Sequence, residues 1–497
     1  MDTQHERISD AILDRRVFLR RAVGLLGAGA VASLLAACSQ AAPAPPTAAP
    51  AAAAKPTTAP AAAPTTASAA AAAPTTAPAA AAAQPTTAAA PAASKNLGGE
   101  LKILQWSHFV PAYDTEFFDP WAQQWGTQNN VKVTVDHIAL AQLPARSASE
   151  AQAKSGHDIF GWFAQGGPRL YDDLLVDLSD TVKQVGDKNG GWDKSAEDLC
   201  LVDGKWKGMP DFLVPFLSSY RKDAWTAAGM QNGPDTWDDL LKGGEKTKAA
   251  GNPVGTALSN TSDGEMTWRS VLWSYGGKEV EADGKTVALD SQETRAALEY
   301  ARQLYEKAMT NEVLSWDDAA NNQYLASGKA AWIYNPISAY RTIEQDYAKA
   351  PSPDQLFTKQ ALGLPLAGPA GRMMSPQFTI YGVWNFSKNA EAAKQFLLDY
   401  KATWPKNFEA SGGYNIPFEK SLQNPPLPVL STDEKTKGIQ EAYKYIKVIG
   451  YPGPNTVLAN KALDLHIVAD MFTRYATGAQ SLDQTIKEAV DAYKQIL

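Results

Sequence analysis

Glu100-Leu101-Lys102-Ile103-Leu104-Gln105-Trp106 reads as a strand, and the 30 or so residues after it decide the fold. Across 115–128 the large side chains Phe117, Phe118, Trp121 and Trp125 recur at helical spacing, and Val131-Lys132-Val133-Thr134-Val135-Asp136 then alternates with period two. The opening is therefore β-α-β. Further strands are expected from Asp158 to Phe163 and from Ala330 to Tyr334. Thr236-Trp237-Asp238-Asp239 has the form of a capping box, and Ser481-Leu482-Asp483-Gln484 starts a last helix with Leu482, Ile486, Val490, Tyr493 and Leu497 as its apolar positions. Strands alternating with amphipathic helices make an α/β architecture, and the length of this alternation suits two lobes better than one.

Upstream of Glu100 the composition changes. Residues 41–93 contain only Ala, Pro and Thr apart from Lys55, Ser68 and Gln84, with Pro-Thr-Thr beginning at 56, 64, 74 and 85. Nothing there can build a core, and the prolines favour an extended tether. Before it comes a polar start, then Arg15-Arg16-Val17-Phe18-Leu19-Arg20-Arg21 and an apolar run from Ala22 to Ala37, too short to span a bilayer comfortably. Arg15 to Arg20 resembles the twin-arginine export signal, with Asp14 where Ser or Thr usually leads. Leu35-Ala36-Ala37-Cys38 resembles the bacterial lipobox, in which the peptidase cuts before a cysteine that carries lipid. The plainer alternative is an N-terminal membrane anchor with an unmodified cysteine. The expected division is thus a signal over 1–37 and a lipidated Cys38 with tether over 38–98. The expected location is outside the cytoplasm, tied to the cell membrane through the lipid.

The chain of 497 residues is 44% hydrophobic and has a net charge of −7, and without its signal and tether the remaining 402 residues carry 39 bases against 49 acids. That balance argues against nucleic acid as a partner. If Cys38 is lipidated, Cys200 is the one thiol left, so no internal disulfide is available. His5, His108, His137, His157 and His466 are too scattered for a close-spaced metal motif, and neither a metal nor a cofactor is expected. There is no Gly-x-Ser-x-Gly elbow, phosphate loop, His-Glu-x-x-His or dinucleotide glycine motif. The adjacent pairs Asp172-Asp173, Asp238-Asp239 and Asp317-Asp318 point apart on a helix and read as solvated helix starts. Two carboxylates brought together from distant positions would suit a glycoside-processing enzyme, which stays open as the alternative class.

The order of small motifs resembles a known family. After the opening strands come Gly156-His157-Asp158-Ile159-Phe160, Leu174-Leu175-Val176-Asp177-Leu178, Gly204-Lys205-Trp206-Lys207-Gly208-Met209-Pro210, Tyr220-Arg221-Lys222-Asp223 and Pro234 to Leu240. Gly276-Gly277, Gly328-Lys329-Ala330-Ala331, Ser387 to Ala393 and the closing stretch Gly478 to Leu497 come next. This series is similar to the extracellular solute-binding proteins of bacterial ABC importers, over essentially all of 99–497, and most of all to the carbohydrate-binding branch that includes maltose-binding protein. The resemblance implies a two-lobed, type II periplasmic-binding-protein-like fold with the ligand cleft between lobes joined by hinge segments. It implies lobe 1 over 99–212, lobe 2 over 213–335, a return to lobe 1 over 336–410, and crossing and helices over 411–497, mainly in lobe 2. Hinge crossings are implied near Pro210 to Tyr220, Asn335 to Tyr340 and Pro405 to Pro417, although the prolines there also read as plain turns.

A sugar cleft needs flat apolar faces beside planar polar groups. By the resemblance Trp106 and His108 lie just after the first strand at a solute-contacting position, and Trp162 and Gln165 come at the end of the Asp158-to-Phe163 strand. Gln165 stands where maltose-binding protein has an acid. On the second lobe Asp263 and Trp268 resemble an acid and an aromatic of the cleft, with Trp268 as helix core the competing reading, and Asn335 comes directly after the Ala330-to-Tyr334 strand. Ile337 replaces a stacking tryptophan there, a second departure from the maltodextrin pattern. Tyr381, Tyr414 with Asn415, and Tyr451 complete the candidates. The implied partners are a small solute, carbohydrate first with a polyamine or peptide as alternatives, and the membrane subunits of an importer; the head is expected to be monomeric and without turnover.

Overall fold

The computed structural model describes residues 96–163, 166–423 and 427–497. The expected signal, Cys38, nearly all of the tether and Gln165 lie outside the described residues.

Strand β1 (Glu100–Trp106) runs parallel to β2 (Lys132–Ile138) on one side and to β3 (Ile159–Trp162) on the other. Between β1 and β2 a π-helical turn, Tyr113–Phe118, runs into the helix Asp119–Asn129. Phe118 and Trp125 are buried on the sheet side, and Asn130 ends the helix in the left-handed conformation at φ 55°. After β4 (Met209–Val214) the chain crosses at Pro215-Phe216 and begins a second sheet with β5 (Leu217–Arg221), β6 (Val254–Gly255), β7 (Trp332–Asn335) and β8 (Gln360–Gly363). It then returns to the first sheet with β9 (Gln377–Val383) and β10 (Ile416–Pro417). The strand orders are β10-β4-β9-β3-β1-β2 and β8-β5-β7-β6, with β9 antiparallel to both β3 and β4.

The two sheets mark two lobes, and two expected boundaries move. The stretch after Asn335 does not go back to the first lobe. Pro336 leads into the helix Ser338–Lys349, and β8 then pairs antiparallel with β5, whose backbone groups would otherwise form an open edge, so the return falls between Gly363 and Gln377. The third crossing is not at 405–417 either. Ile416 and Pro417 pair with Leu213 and Phe212 as the edge strand of the first sheet, a place proline tolerates. The chain crosses later, at 445–447, where the Met374 N–H donates to the Tyr445 carbonyl and the Lys447 N–H to the Met374 carbonyl, both at 2.8 Å. The Phe216 N–H approaches the Met374 sulfur at 3.1 Å, so all three crossings meet at one residue.

The terminal part divides between the lobes. The helix Val457–Asp464 packs on the short helix Gly167–Leu170 of the first lobe, whereas Ile467–Ala476 packs on Ser262–Ser274 and Gln292–Ala308 of the second and carries the last helix, Leu482–Gln495. The capping box forms as read: the Asp239 N–H donates to Thr236 Oγ1 at 3.0 Å and the Thr236 N–H to Asp239 Oδ2 at 3.1 Å. Tryptophans 225, 237, 268, 273, 332 and 384 are fully buried, so the indole-rich composition is chiefly core.

Candidate functional site

The helix Ser262–Ser274 points its N-terminus at the gap between the lobes. Thr261 caps it by accepting from the Gly264 N–H at 3.0 Å, and Asp318 Oδ1 accepts from the Asp263 N–H at 2.9 Å, satisfying another free donor of the first turn. The Asp263 carboxylate accepts from Asn321 Nδ2, which also donates to Asn335 Oδ1 at 2.7 Å, while Asn335 Nδ2 donates to Asn322 Oδ1 at 2.5 Å. From the first lobe, Gln377 Nε2 on β9 donates to Ser262 Oγ at 2.7 Å and reaches Asp263 Oδ1 at 3.4 Å. Burial first and the Asp318 charge second raise the Asp263 carboxyl well above the usual range; burial carries Asp318 to about 6.

Beside this helix start lies a cavity walled by both lobes, with about 850 Å³ of space free of protein atoms counted out to open solvent. The first lobe supplies Leu140, Leu143, Pro144, Ser147, Trp162, Phe163 and Tyr171; the second supplies Asn260, Ser262, Glu265 and Asp318; the terminal helices supply Leu463, Asp464 and His466. Trp162 lies nearly parallel to Tyr171, 17° between planes and 6.1 Å between centroids, and meets Trp384 edge-on at 5.5 Å. Two glycines make room for its indole: a Cβ at Gly167 would lie 2.2 Å from Trp162 Cδ2, and one at Gly382 would lie 2.4 Å from Cζ3. Trp162 Nε1 is buried and has no partner among the described residues. Tyr171 and Ser147 meet through their hydroxyls at 3.2 Å.

The lining from the second lobe and the terminal helices is acidic. Glu265 is buried; it accepts from Arg269 and, at 2.9 Å, from the Ala469 N–H, which ties the terminal helices to the wall. Arg269 also pairs with Glu279 at 3.0 Å. Asp464 is raised to about 6 by burial. His466 stands in the left-handed conformation at φ 54° with Nδ1 3.8 Å from Glu265 Oε1, and burial, then the Arg269 charge, lowers its pKa.

Of the expected site residues, Trp162 lines the cavity, and Asp263 and Asn335 stand behind its rim in the Asn321 network. Others do not come to it. His108 is a core histidine: it is 5% exposed, Nδ1 accepts from the Val110 N–H and Nε2 donates to Asn415 Oδ1, both at 2.9 Å, so no ring nitrogen is left for a solute. Asn415 is committed to that bond and to Asn407 at 2.9 Å. Trp106 fills the space between His108, at 4.9 Å, and Phe163, at 4.1 Å. Trp268 is helix core, its Nε1 donating to the Ala257 carbonyl at 2.8 Å and its ring stacked on Phe472. Tyr381 is buried in the first sheet and donates to Gln105 Oε1 at 2.5 Å. Tyr451 lines a separate surface pocket with Asp193, Lys194 and Pro452. Tyr414 packs edge-on against His108 at 4.8 Å; burial and the charges of Asp263 and Asp318 raise its pKa, and its hydroxyl has no partner among the described residues.

Sequence reasoning missed Ser147, Tyr171, Glu265, Asp464 and His466, and it placed Asp317-Asp318 among solvated helix starts. Asp318 instead caps a helix more than 40 residues upstream and lines the cavity as well.

Residues 120–435 match the sequence profile of a family described as bacterial extracellular solute-binding proteins. A binding protein of Brucella abortus (strain 2308) is 26% identical over 230 residues, 44% of this chain and 52% of that one, and one of Brucella suis biovar 1 (strain 1330) matches equally. The chain spans about half the length of the curated relatives it matches. In fold it is similar to a sugar transporter from Arthrobacter chlorophenolicus A6 with bound laminaribiose, at TM-score 0.68 and 17% identity over 80% of this chain and 99% of that one. Maltose-bound T. maritima MalE3 gives 0.67 and 18% over 80% and 100%. A solute-binding protein from Agrobacterium radiobacter K84 in complex with ribitol gives 0.67 and 17% over 81% and 100%. These likenesses establish the two-lobed fold of periplasmic solute-binding proteins.

Proposed function

This chain belongs to the bacterial extracellular solute-binding proteins, and from that premise we propose that it captures a carbohydrate between its lobes and delivers it to an ABC importer. The family is extracytoplasmic, and its sugar-binding members serve importers of small solutes. The observation that carries the reading is the two-walled cavity. It sets the Trp162 and Tyr171 rings, several aliphatic side chains and Asp464 on one side and Asp318 on the other, the pairing of apolar face with planar acceptor that a sugar ring requires. Structural neighbours that hold laminaribiose, maltose and ribitol support the solute class.

In this reading Trp162, with Gln165 beside it in sequence, and Tyr171 grip one side of the solute. Asp464 stands with them, Asp318 grips the other side, and Asp263 holds Asn321 and the helix start in place. Closure gains its energy because each lobe brings its own contacts. The remaining proposals concern the segment before residue 96: twin-arginine export and lipid attachment at Cys38, with the tether carrying a monomeric head away from the membrane. The protein binds and does not turn its solute over.

The test is calorimetric titration of the purified protein with mono- and oligosaccharides, beside small-angle scattering with and without saturating solute. Saturable binding with a smaller radius of gyration is expected. Binding with no change in radius would remove the closure, and hydrolysis abolished by a single carboxylate substitution would replace the binding role with an enzymatic one.

A further inference from the structure

Gly156-His157-Asp158 leads into β3, and its histidine lies buried, 4% exposed, between two carboxylates. His157 Nδ1 stands 2.6 Å from Glu150 Oε1, and Nε2 stands 3.0 Å from Asp136 Oδ2 on β2. An ionised carboxylate only accepts, so both ring nitrogens donate and the ring is an imidazolium. Glu150 is buried as well, and it gathers donors from three further places: Arg146 Nε at 2.7 Å, the His157 N–H at 3.2 Å and Trp384 Nε1 at 3.2 Å. The glycine of the motif makes room for it, since a Cβ at Gly156 would lie 2.4 Å from Glu150 Cδ.

Two routes lead from this pair to the interlobe cavity, which none of Glu150, His157 and Trp384 lines. The helix Leu143–Ala153 buries Leu143, Ser147 and Glu150 on one face. Its Leu143, Pro144 and Ser147 line the cavity, and Ser147 meets the Tyr171 hydroxyl at 3.2 Å. The second route is Trp384, whose nitrogen Glu150 holds. Its ring stands edge-on behind both cavity rings, 5.5 Å from Trp162 and 5.5 Å from Tyr171.

We propose that Glu150 and His157 are positioning residues for the solute: the charged pair fixes Trp384 and the helix Leu143–Ala153, and through them the Trp162 and Tyr171 rings, so that solute binds more tightly while His157 carries its proton. This rests on the carbohydrate reading above and adds to it a control by acidity.

The charged groups around the imidazole are Glu150 and Arg146 on the helix and Asp136 on β2, with Glu100, Lys102, Lys154, Asp158 and Lys388 about the surface pocket that His157 also lines. Burial opposes the charge on both members of the pair, and their hydrogen bonds outweigh it: Glu150 is held below the usual carboxylate range and His157 above its ordinary value of about 6.5. A neutral ring keeps one N–H, so one carboxylate then faces a lone pair. Affinity therefore falls as pH rises through the raised value, by about threefold to tenfold if one hydrogen bond's worth of placement is lost. By linkage, bound solute must in turn hold the proton on His157 more firmly.

The experiment uses the full-length protein and the tightest binder of a sugar set that includes glucose, maltose and laminaribiose. Calorimetry from pH 6.5 to 9.5 reads affinity, and NMR of the histidine rings, with His157→Gln to identify the signal, reads the proton with and without saturating sugar. Affinity is expected to fall in step with the His157 titration, and sugar to move that titration to higher pH. His157→Gln and Glu150→Gln should bind more weakly at pH 6.5 and lose the pH dependence. Asp136→Asn, at a side chain 57% exposed, should move the midpoint of the affinity curve to lower pH, which a role in folding alone would not do. The wild-type series and Asp136→Asn stand by themselves if the other variants fold poorly. Affinity that stays constant while the ring titrates, a titration that sugar does not move, or a His157 variant that binds as wild type would overturn the proposal and leave the carbohydrate reading intact. If no sugar of the set binds at any pH, the carbohydrate reading fails and this inference fails with it.

Discussion

Two tryptophans of the same motif-level standing separate once their surroundings are known. Trp268 has its Nε1 bonded and its face stacked on Phe472, so Trp268→Ala should cost about 3–5 kcal/mol of stability with no specific effect on solute. Trp162 borders the cavity, and Trp162→Ala should weaken binding by about 1–3 kcal/mol. Urea denaturation and titration of both variants check the contrast; a Trp162 variant that binds as wild type would sink the assignment. His108 yields a pH prediction. Burial pushes it down to about 4, below its unfolded value of about 6.5, so the unfolded chain takes the proton first. Its contribution is complete above pH 6.5 and is lost as pH falls toward 4, by up to about 3 kcal/mol. Asp114 and Asp211, raised to about 6 by burial, act in the opposite sense, so the informative quantity is the difference between wild type and His108→Asn. That difference should grow as pH rises from 4.5 to 6.5 in denaturation series, and a constant difference would show that His108 titrates normally.

At the scale of elements, the short helix Gly167–Leu170 exists to lay bare backbone on the Trp162 indole. Gly167→Ala adds a Cβ 2.2 Å from Cδ2, so the ring must move; about 1–3 kcal/mol of overpacking cost and a drop in affinity are expected, read by thermal melts and titration. The same scale shows what a sequence can disclose. The opening strand, helix and strand were legible because their periods differ, and the Thr236 cap because its partners lie three residues apart. The second and third crossings were not, because Pro336 reads as a turn whether the chain changes lobes or, as here, enters Ser338–Lys349 and pairs β8 with β5. Nor was most of the cavity wall. Ser147, Tyr171, Asp318 and Asp464 share no local pattern, and only tertiary packing brings residues so far apart in the chain to one wall.

For the whole molecule, the proposals for the segment before residue 96 are tested at Cys38. Cys38→Ser is expected to release the protein from membranes or leave its precursor unprocessed, seen by fractionation and intact mass; unchanged membrane association and mass would exclude lipid at that thiol. The three crossings meet at Met374, which touches Phe216 by its sulfur and Tyr445 and Lys447 by its backbone. Contacts gathered at one residue make a pivot and not an axle: they fix where one lobe can turn on the other and leave the direction to what lies between them. Two solutes that fill the cavity differently are therefore expected to close the protein to different angles, read as different radii of gyration at saturation.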